Sequence, residues 1–348
     1  MTRSPYLRFT TCCLAAIALG STAQAMAPLK PVKTIVSGRL SVPYGLGSGN
    51  AGSGSGGQIP VALSQDWSQP NPAVTNAVII VHGRQRNAGT YFRSLVEAAQ
   101  AAGKDNGHTL LIAPQFLADI DRERLTPDLL RWHGDDWMSG LPAQAPSGAS
   151  SFDGLDAILR KLSDRHLFPN LTRVTLAGHS GGGQVVQRYA ILGKAGDRLA
   201  KAGIAVRYLV ANPSSYAYFG PDRPLADGHS GRFDAAQCPG YDDWKYGMRH
   251  LPPYANLTPA ALEQRYVTRS VTYLLGEADT DPQQAVLDRS CAAEAQGPYR
   301  LARGRSYIAQ LRLRHRNLAQ RLIEVPGIGH DGRRMLTSAQ GEAALFAP

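Results

Sequence analysis

The chain has 348 residues, long enough for one large α/β domain or two small ones with a sizeable core. Hydrophobic residues at 43% and charged residues at 18% describe a globular chain and exclude wholesale disorder. The formal charge of +10 is not gathered into long basic runs or interleaved with aromatics, which argues against a nucleic-acid partner.

The N-terminus reads as a leader. MTRSPYLRFT carries Arg3 and Arg8 without an acid, TCCLAAIALG is a short apolar run, and Ala23 and Ala25 supply an A-x-A pattern. This layout predicts a signal peptide over 1–25, cut after Ala25, and a secreted or periplasmic protein. The apolar run is about half of the roughly 20 residues a membrane span needs, so no stable membrane anchor is expected. Cleavage lowers the charge to about +8. It also removes Cys12 and Cys13, leaving Cys238 and Cys291 as the one possible disulfide.

The mature chain, 26–348, is expected to form a single domain. Residues 26–76 suggest a β-hairpin with strands in TIVSGRLSVPY and QIPVAL, joined by the mobile-looking tract GLGSGNAGSGSGG. That tract lacks the patterns that would make it a phosphate cradle. Six apolar runs follow: AVIIV (77–81), TLLIA (109–113), RVTLAG (173–178), RYLVA (207–211), VTYLL (271–275) and RLIEV (321–325). Such runs suit strands of a parallel sheet covered on both faces. Helical patterns fall between them, with Gly103 at a C-terminal cap position and Ser151 at an N-cap position. Alternating strands and helices give an α/β fold.

Two stretches break the alternation, residues 114–150 and 214–268. The second is rich in aromatics and reads as a loop-rich, cap-like insertion, stapled to the body if Cys238 pairs with Cys291. Its aromatics, with Trp132 and Trp137, either line a substrate pocket or form a small core. The arginines of RGRSYIAQLRLRHRN (303–317) read as a solvated helix face. The acidic pairs Asp135–Asp136 and Asp242–Asp243 read as solvated or capping groups, and no metal is expected.

Ligands in α/β sheets bind beyond the carboxyl ends of strands. After RVTLA comes Gly178-His179-Ser180-Gly181-Gly182, a G-x-S-x-G motif between a buried strand and an amphipathic helix. Ser180 is the candidate nucleophile, and the Gly181 N–H at the helix start is a candidate oxyanion donor. A serine needs a base and the base an orienting acid. His330 follows the last strand in PGIGHDG. Asp279 stands in GEADTDP after VTYLL, with Asp281 as the alternative. The loop after RYLVA, NPSS, holds no carboxylate. A second oxyanion donor is expected from His82-Gly83-Arg84-Gln85. Arg84 is the candidate, and Gly83 or Gln85 could take its place.

IIVHG, GHSGG and GEAD…PGIGH, in this order, resemble the α/β-hydrolase superfamily over about residues 60–345. The resemblance implies an eight-stranded, mostly parallel sheet with helices on both faces. It also implies acyl-enzyme chemistry without metal or organic cofactor, and a small-molecule or polymeric carboxylic ester as substrate. The expected protein is therefore an exported serine esterase with a Ser-His-Asp triad. The same residues would serve an amidase, peptidase or acyltransferase, and some members of the superfamily only bind. Gly183 departs from many relatives, which carry a bulkier residue there.

Overall fold

The computed structural model describes residues 1, 26–43, 56–225 and 229–347. The expected signal peptide and most of the Gly/Ser-rich tract lie outside the described residues.

All the predicted strands form. The central sheet contains β1 (Gly38–Val42), β2 (Gly57–Leu63), β3 (Asn76–Val81), β4 (Thr109–Pro114), β5 (Arg173–His179), β6 (Ala205–Ala211), β7 (Ser270–Gly276) and β8 (Arg321–Val325). Their spatial order is β1-β2-β4-β3-β5-β6-β7-β8. The first two strands form the antiparallel hairpin, β2 pairs antiparallel with β4, and the remaining pairs are parallel.

The apolar runs are explained by which face each side chain enters. Along β3, Ala77, Ile79 and Val81 enter one core while Val78 and Ile80 enter the other. A strand buried on both faces has no position for a polar residue. The helices are α1 (Ala88–Ala101), α2 (Ser151–Leu162), α3 (Gly181–Leu192), α4 (Gly196–Lys201), α5 (Pro259–Val267), α6 (Cys291–Glu294), α7 (Arg300–Arg314), α8 (Gly332–Leu336) and α9 (Ala339–Phe346). Side chains of α1, α8 and α9 build the core on one face, and those of α2, α3, α5 and α7 build it on the other. Among the described residues no helix is long and apolar enough to cross a membrane.

Helix ends follow local chemistry, with one shift. Ser150, not Ser151, caps α2: its hydroxyl accepts from the Phe152 N–H, and Asp153 reaches back to the Ser150 N–H. Gly103 stands one residue past the C-cap of α1 at φ 62°.

Residues 214–268 are mostly irregular, with a short ribbon pairing Asp222–Pro224 with Ser230–Arg232 before α5. Their aromatics turn into the protein. Tyr216 stacks on Tyr307 at 4.6 Å and Tyr218 meets the same ring edge-on. Tyr254 packs edge-on against Phe152. Trp132 and Trp137 are fully buried. A correction concerns 303–317: the arginines are not all on a solvated face. Arg303 is completely buried and donates to the carbonyls of Gly297, Ser214 and Asp288. Arg305 and Arg314 do face outward, each paired bidentately with a glutamate, Glu324 and Glu263.

Cys238 and Cys291 are bonded, closing a loop of 53 residues between the insertion and α6. Around the bond Tyr241, Ala292, Phe233 and Tyr246 make a small satellite core. In the chain-entropy account a loop of this length is worth about 4 kcal/mol. The Cys238→Ser/Cys291→Ser double variant is therefore expected to lose up to that amount in urea denaturation, with protease nicking appearing first within 214–268. Unchanged stability would show that the satellite core holds the insertion without the bond.

Candidate active site

The site begins with a backbone constraint. Ser180 follows directly on β5 and precedes α3, and it adopts φ 59°, ψ −121°. That region is sparsely populated for a residue with a side chain and costs of order 1–3 kcal/mol. The reversal is held by the Ser180 N–H donating to the Ala211 carbonyl at the end of β6, 2.9 Å. It lifts the hydroxyl above the carboxyl ends of the strands.

Such a tight turn drives the first turn of α3 into the sheet, and the glycines are what make room. A Cβ on Gly178 would lie 2.2 Å from the Gly182 carbonyl oxygen, and one on Gly182 would lie 2.0 Å from that of Val81. Gly183, for which the sequence offered no reason, has the same one: its Cβ would sit 2.5 Å from the Ala211 carbonyl oxygen. Gly181 differs, because its Cβ would meet Met138 Sδ at 2.7 Å and the Arg84 backbone nitrogen at 2.9 Å. A side chain there would cover the Arg84 N–H.

The structure brings Ser180, His330 and Asp279 together. His330 Nε2 is 2.9 Å from Ser180 Oγ, and His330 Nδ1 is 2.8 Å from Asp279 Oδ2. An ionised carboxylate can only accept, so Nδ1 carries the proton and Nε2 presents its lone pair to the serine hydroxyl. Burial pushes the His330 pKa below the usual imidazole value, opposed by the hydrogen bond to Asp279 and reinforced by the Arg300 cation. Asp281 is instead exposed, its carboxylate accepting from the Gln283 N–H.

The Gly83–Arg84 peptide is aimed by its surroundings. The buried His82 accepts the Phe116 N–H at Nε2, so its proton resides on Nδ1 and is donated to the Gly83 carbonyl, 2.9 Å away. The Arg86 N–H donates to the same carbonyl at 3.0 Å. In a trans peptide the N–H points opposite to the C=O. Fixing the Gly83 oxygen therefore turns the Arg84 N–H the other way, toward Gly181 and Ser180. Gly83's own N–H is directed at the Tyr91 hydroxyl. Among the described residues neither the Arg84 nor the Gly181 N–H has a hydrogen-bond acceptor. Burial brings the His82 pKa down to about 4, so the ring is neutral near pH 7.

Several contributors escaped the sequence reading. Arg300 of α7, fully buried, donates from Nη1 to the other Asp279 oxygen (3.3 Å), from Nε to Ser214 Oγ (3.0 Å) and from Nη2 to Gln284 Oε1 (2.9 Å). Asn212, at φ 42°, accepts the Gly276 N–H and donates to the Gly329 carbonyl, tying together the loops that carry Asp279 and His330. His179, which its place beside Ser180 in the motif marks as structural, lies under His330, ring centroids 4.7 Å apart, with Nδ1 on the Tyr91 hydroxyl. Of Arg300 and Asn212, only Asn212 had a usable signal, its place immediately after a strand. Asp135 is paired with Arg84 at 2.6 Å and Asp242 with Arg223 at 3.3 Å.

No family model matches the chain, and no curated protein sequence is detectably similar to it. Solved structures are. The chain is similar to poly(aspartic acid) hydrolase-1 from Sphingomonas sp. KT-1, with a TM-score of 0.60 and 22% identity, over 90% of this chain and 98% of that one. It is also similar to LpqC, a poly(3-hydroxybutyrate) depolymerase from Bordetella parapertussis, with a TM-score of 0.55 and 23% identity, over 83% and 91%. The fold is that of the α/β-hydrolases, as the motifs implied.

Gly183→Ala separates two physical accounts. Helix propensity alone predicts a gain of about 1 kcal/mol. The contact with the Ala211 carbonyl predicts a net loss of about 1–3 kcal/mol, the usual range for overpacking. Thermal or urea denaturation reads the sign, and a stabilised variant would discard the close-approach account.

Proposed function

We propose that this chain is a serine hydrolase that cleaves carboxylic esters through an acyl-enzyme. The observation that carries the reading is the relay of Ser180, His330 and Asp279 at hydrogen-bond distance beside two backbone N–H groups without acceptors. Ser180 Oγ attacks the carbonyl carbon while His330 Nε2 takes its proton. The oxyanion of the tetrahedral intermediate is held by the Gly181 and Arg84 N–H groups. His330 then protonates the departing alkoxide, leaving an acyl ester on Ser180. A water molecule, deprotonated by the same nitrogen, releases the acid. Asp279 stabilises the imidazolium, and Arg300 keeps Asp279 in place.

Amide hydrolysis would use the same residues. The two structural neighbours are named for a poly(amino acid) and a poly(hydroxy acid), so both bond types belong in the substrate panel. The Cys238–Cys291 bond supports an exported protein, since such bonds persist in oxidising compartments.

A fluorophosphonate probe tests the reading. Wild type is expected to label and Ser180→Ala to stay unlabelled, with kcat on p-nitrophenyl esters reduced by roughly 10⁵–10⁶-fold. Asp279→Asn is expected to lose about 10⁴-fold. Because His330 must be neutral to act as base and its pKa is lowered, the midpoint of the acid limb of kcat/KM should lie below the value of roughly 6.5 for a free imidazole. Equal labelling of Ser180→Ala would overturn the proposal.

A further inference from the structure

The cleft before Ser180 is narrow, and its surface is shared between apolar and polar groups. Met26, Met138 and Val286 supply apolar surface, and the charged groups on the wall are Arg84, Lys245 and Asp288. The aromatic side chains of the insertion are absent from this wall. What the insertion contributes is Ser214 and Lys245, of which only Lys245 carries a charge.

The two cations differ in what they have left to bind. The Arg84 guanidinium is committed to Asp135 and to the Ala27 carbonyl. Lys245 Nζ lies 3.9 Å from Asp288 Oδ2, near enough for charge attraction but beyond hydrogen-bond length. Among the described residues it has no hydrogen-bond acceptor. Asp288 is itself occupied: Oδ1 accepts from the Ser290 N–H and hydroxyl, and Oδ2 accepts from the Tyr246 hydroxyl. Desolvation, with the Arg188 cation, lowers the Lys245 pKa from the usual lysine value, opposed by Asp288 and, further away, by Asp135 and Asp136. The result is a half-buried ammonium with open donors on the wall that also carries Ser180. Such a group is complementary to an anion, and water is a poor competitor in a narrow cleft.

We propose that Lys245 binds a carboxylate on the substrate, so that the preferred substrates are esters carrying a carboxylate a few bonds from the scissile carbonyl. This rests on the serine-hydrolase reading and adds a substrate class to it. The competing account is a purely structural Lys245–Asp288 pair, which would support all substrates alike.

Two isosteric ester pairs separate the accounts by pH-stat kinetics. Monoethyl succinate against ethyl levulinate places the carboxylate on the acyl side, and acetoxyacetate against acetoxyacetone places it on the alcohol side. In at least one pair the wild-type kcat/KM is expected to favour the anion by about 10- to 100-fold, as for a charge-assisted hydrogen bond. Added salt should shrink that ratio, a readout that needs no variant. Lys245→Met should bring the ratio to about one or below, and Lys245→Arg should retain most of it. Wild-type ratios near one in both pairs would overturn the inference, and so would a Lys245→Met variant that lowers both members of a pair equally. The fluorophosphonate distinguishes the levels. Labelled wild type without anionic preference defeats this inference alone, whereas unlabelled wild type defeats the hydrolase reading and this inference with it.

Discussion

Everything at the site depends on one close approach, the first turn of α3 pressed against the carboxyl ends of β3, β5 and β6. The contact distances leave no space for a Cβ at Gly178, Gly182 or Gly183, each within 2.5 Å of a backbone carbonyl oxygen. Gly181, Gly182 and Gly183 weaken the start of α3 by roughly 1 kcal/mol apiece, and Ser180 adds a strained backbone. The offset comes from the rest of α3, which buries Val185, Val186, Tyr189, Ile191 and Leu192 completely. The apolar end of the helix thus holds its strained end in position. The Ser180 hydroxyl and the Gly181 N–H are fixed relative to the sheet by packing that lies turns away from them.

A second constraint is that the polar groups around the hydroxyl are oriented by partners that leave them one free function. His82 and the Arg86 N–H hold the Gly83 oxygen, which leaves the Arg84 N–H pointing at the site. Asp279 has one oxygen on Arg300 and the other on His330, so its carboxylate cannot rotate. Burial keeps both His82 and His179 below the ordinary imidazole pKa. The rings around the Ser180–His330 pair are accordingly neutral near pH 7 and do not compete for the proton that His330 would take. Preorganisation of this kind is what makes a few hydrogen bonds effective in a site of low polarity.

The strands were legible in the sequence because burial on both faces removes polar residues from them, and six apolar runs became six strands. The motif residues were legible for a related reason, since each follows directly on one of those strands. Ser180, Asp279 and His330 reach one another because parallel strands end on the same edge of the sheet. The choice of Asp279 over Asp281 could be argued from loop length, and the structure adds that Asp279 lies at hydrogen-bond distance from His330 while Asp281 accepts from the Gln283 N–H. Gly183 was opaque because its neighbour, the Ala211 carbonyl, is supplied by a strand 28 positions downstream. Arg300 and Arg303 were opaque in the same way. Arg303, at helical spacing within the arginine-rich run 303–317, looks solvated, and only the placement of α7 against Asp279, Ser214 and Asp288 makes it and Arg300 interior groups.

The insertion shows how composition can mislead about a cleft. Eight aromatics between 216 and 254 suggest a greasy binding surface, yet Tyr216, Tyr218 and Tyr254 are consumed in filling the space between α2, α3 and α7. A long irregular segment has few regular hydrogen bonds and needs its own apolar ballast to stay folded, and the aromatics provide it. Once they face inward, the segment's outward wall is left to its polar residues. Lys245 on that wall then meets Asp288, which lies near the other end of the disulfide-closed loop, three residues before Cys291. The bond and the aromatic packing thus fix the position of a charge rather than of a hydrophobic surface, and the chemistry of the cleft follows from the residue that the packing left out.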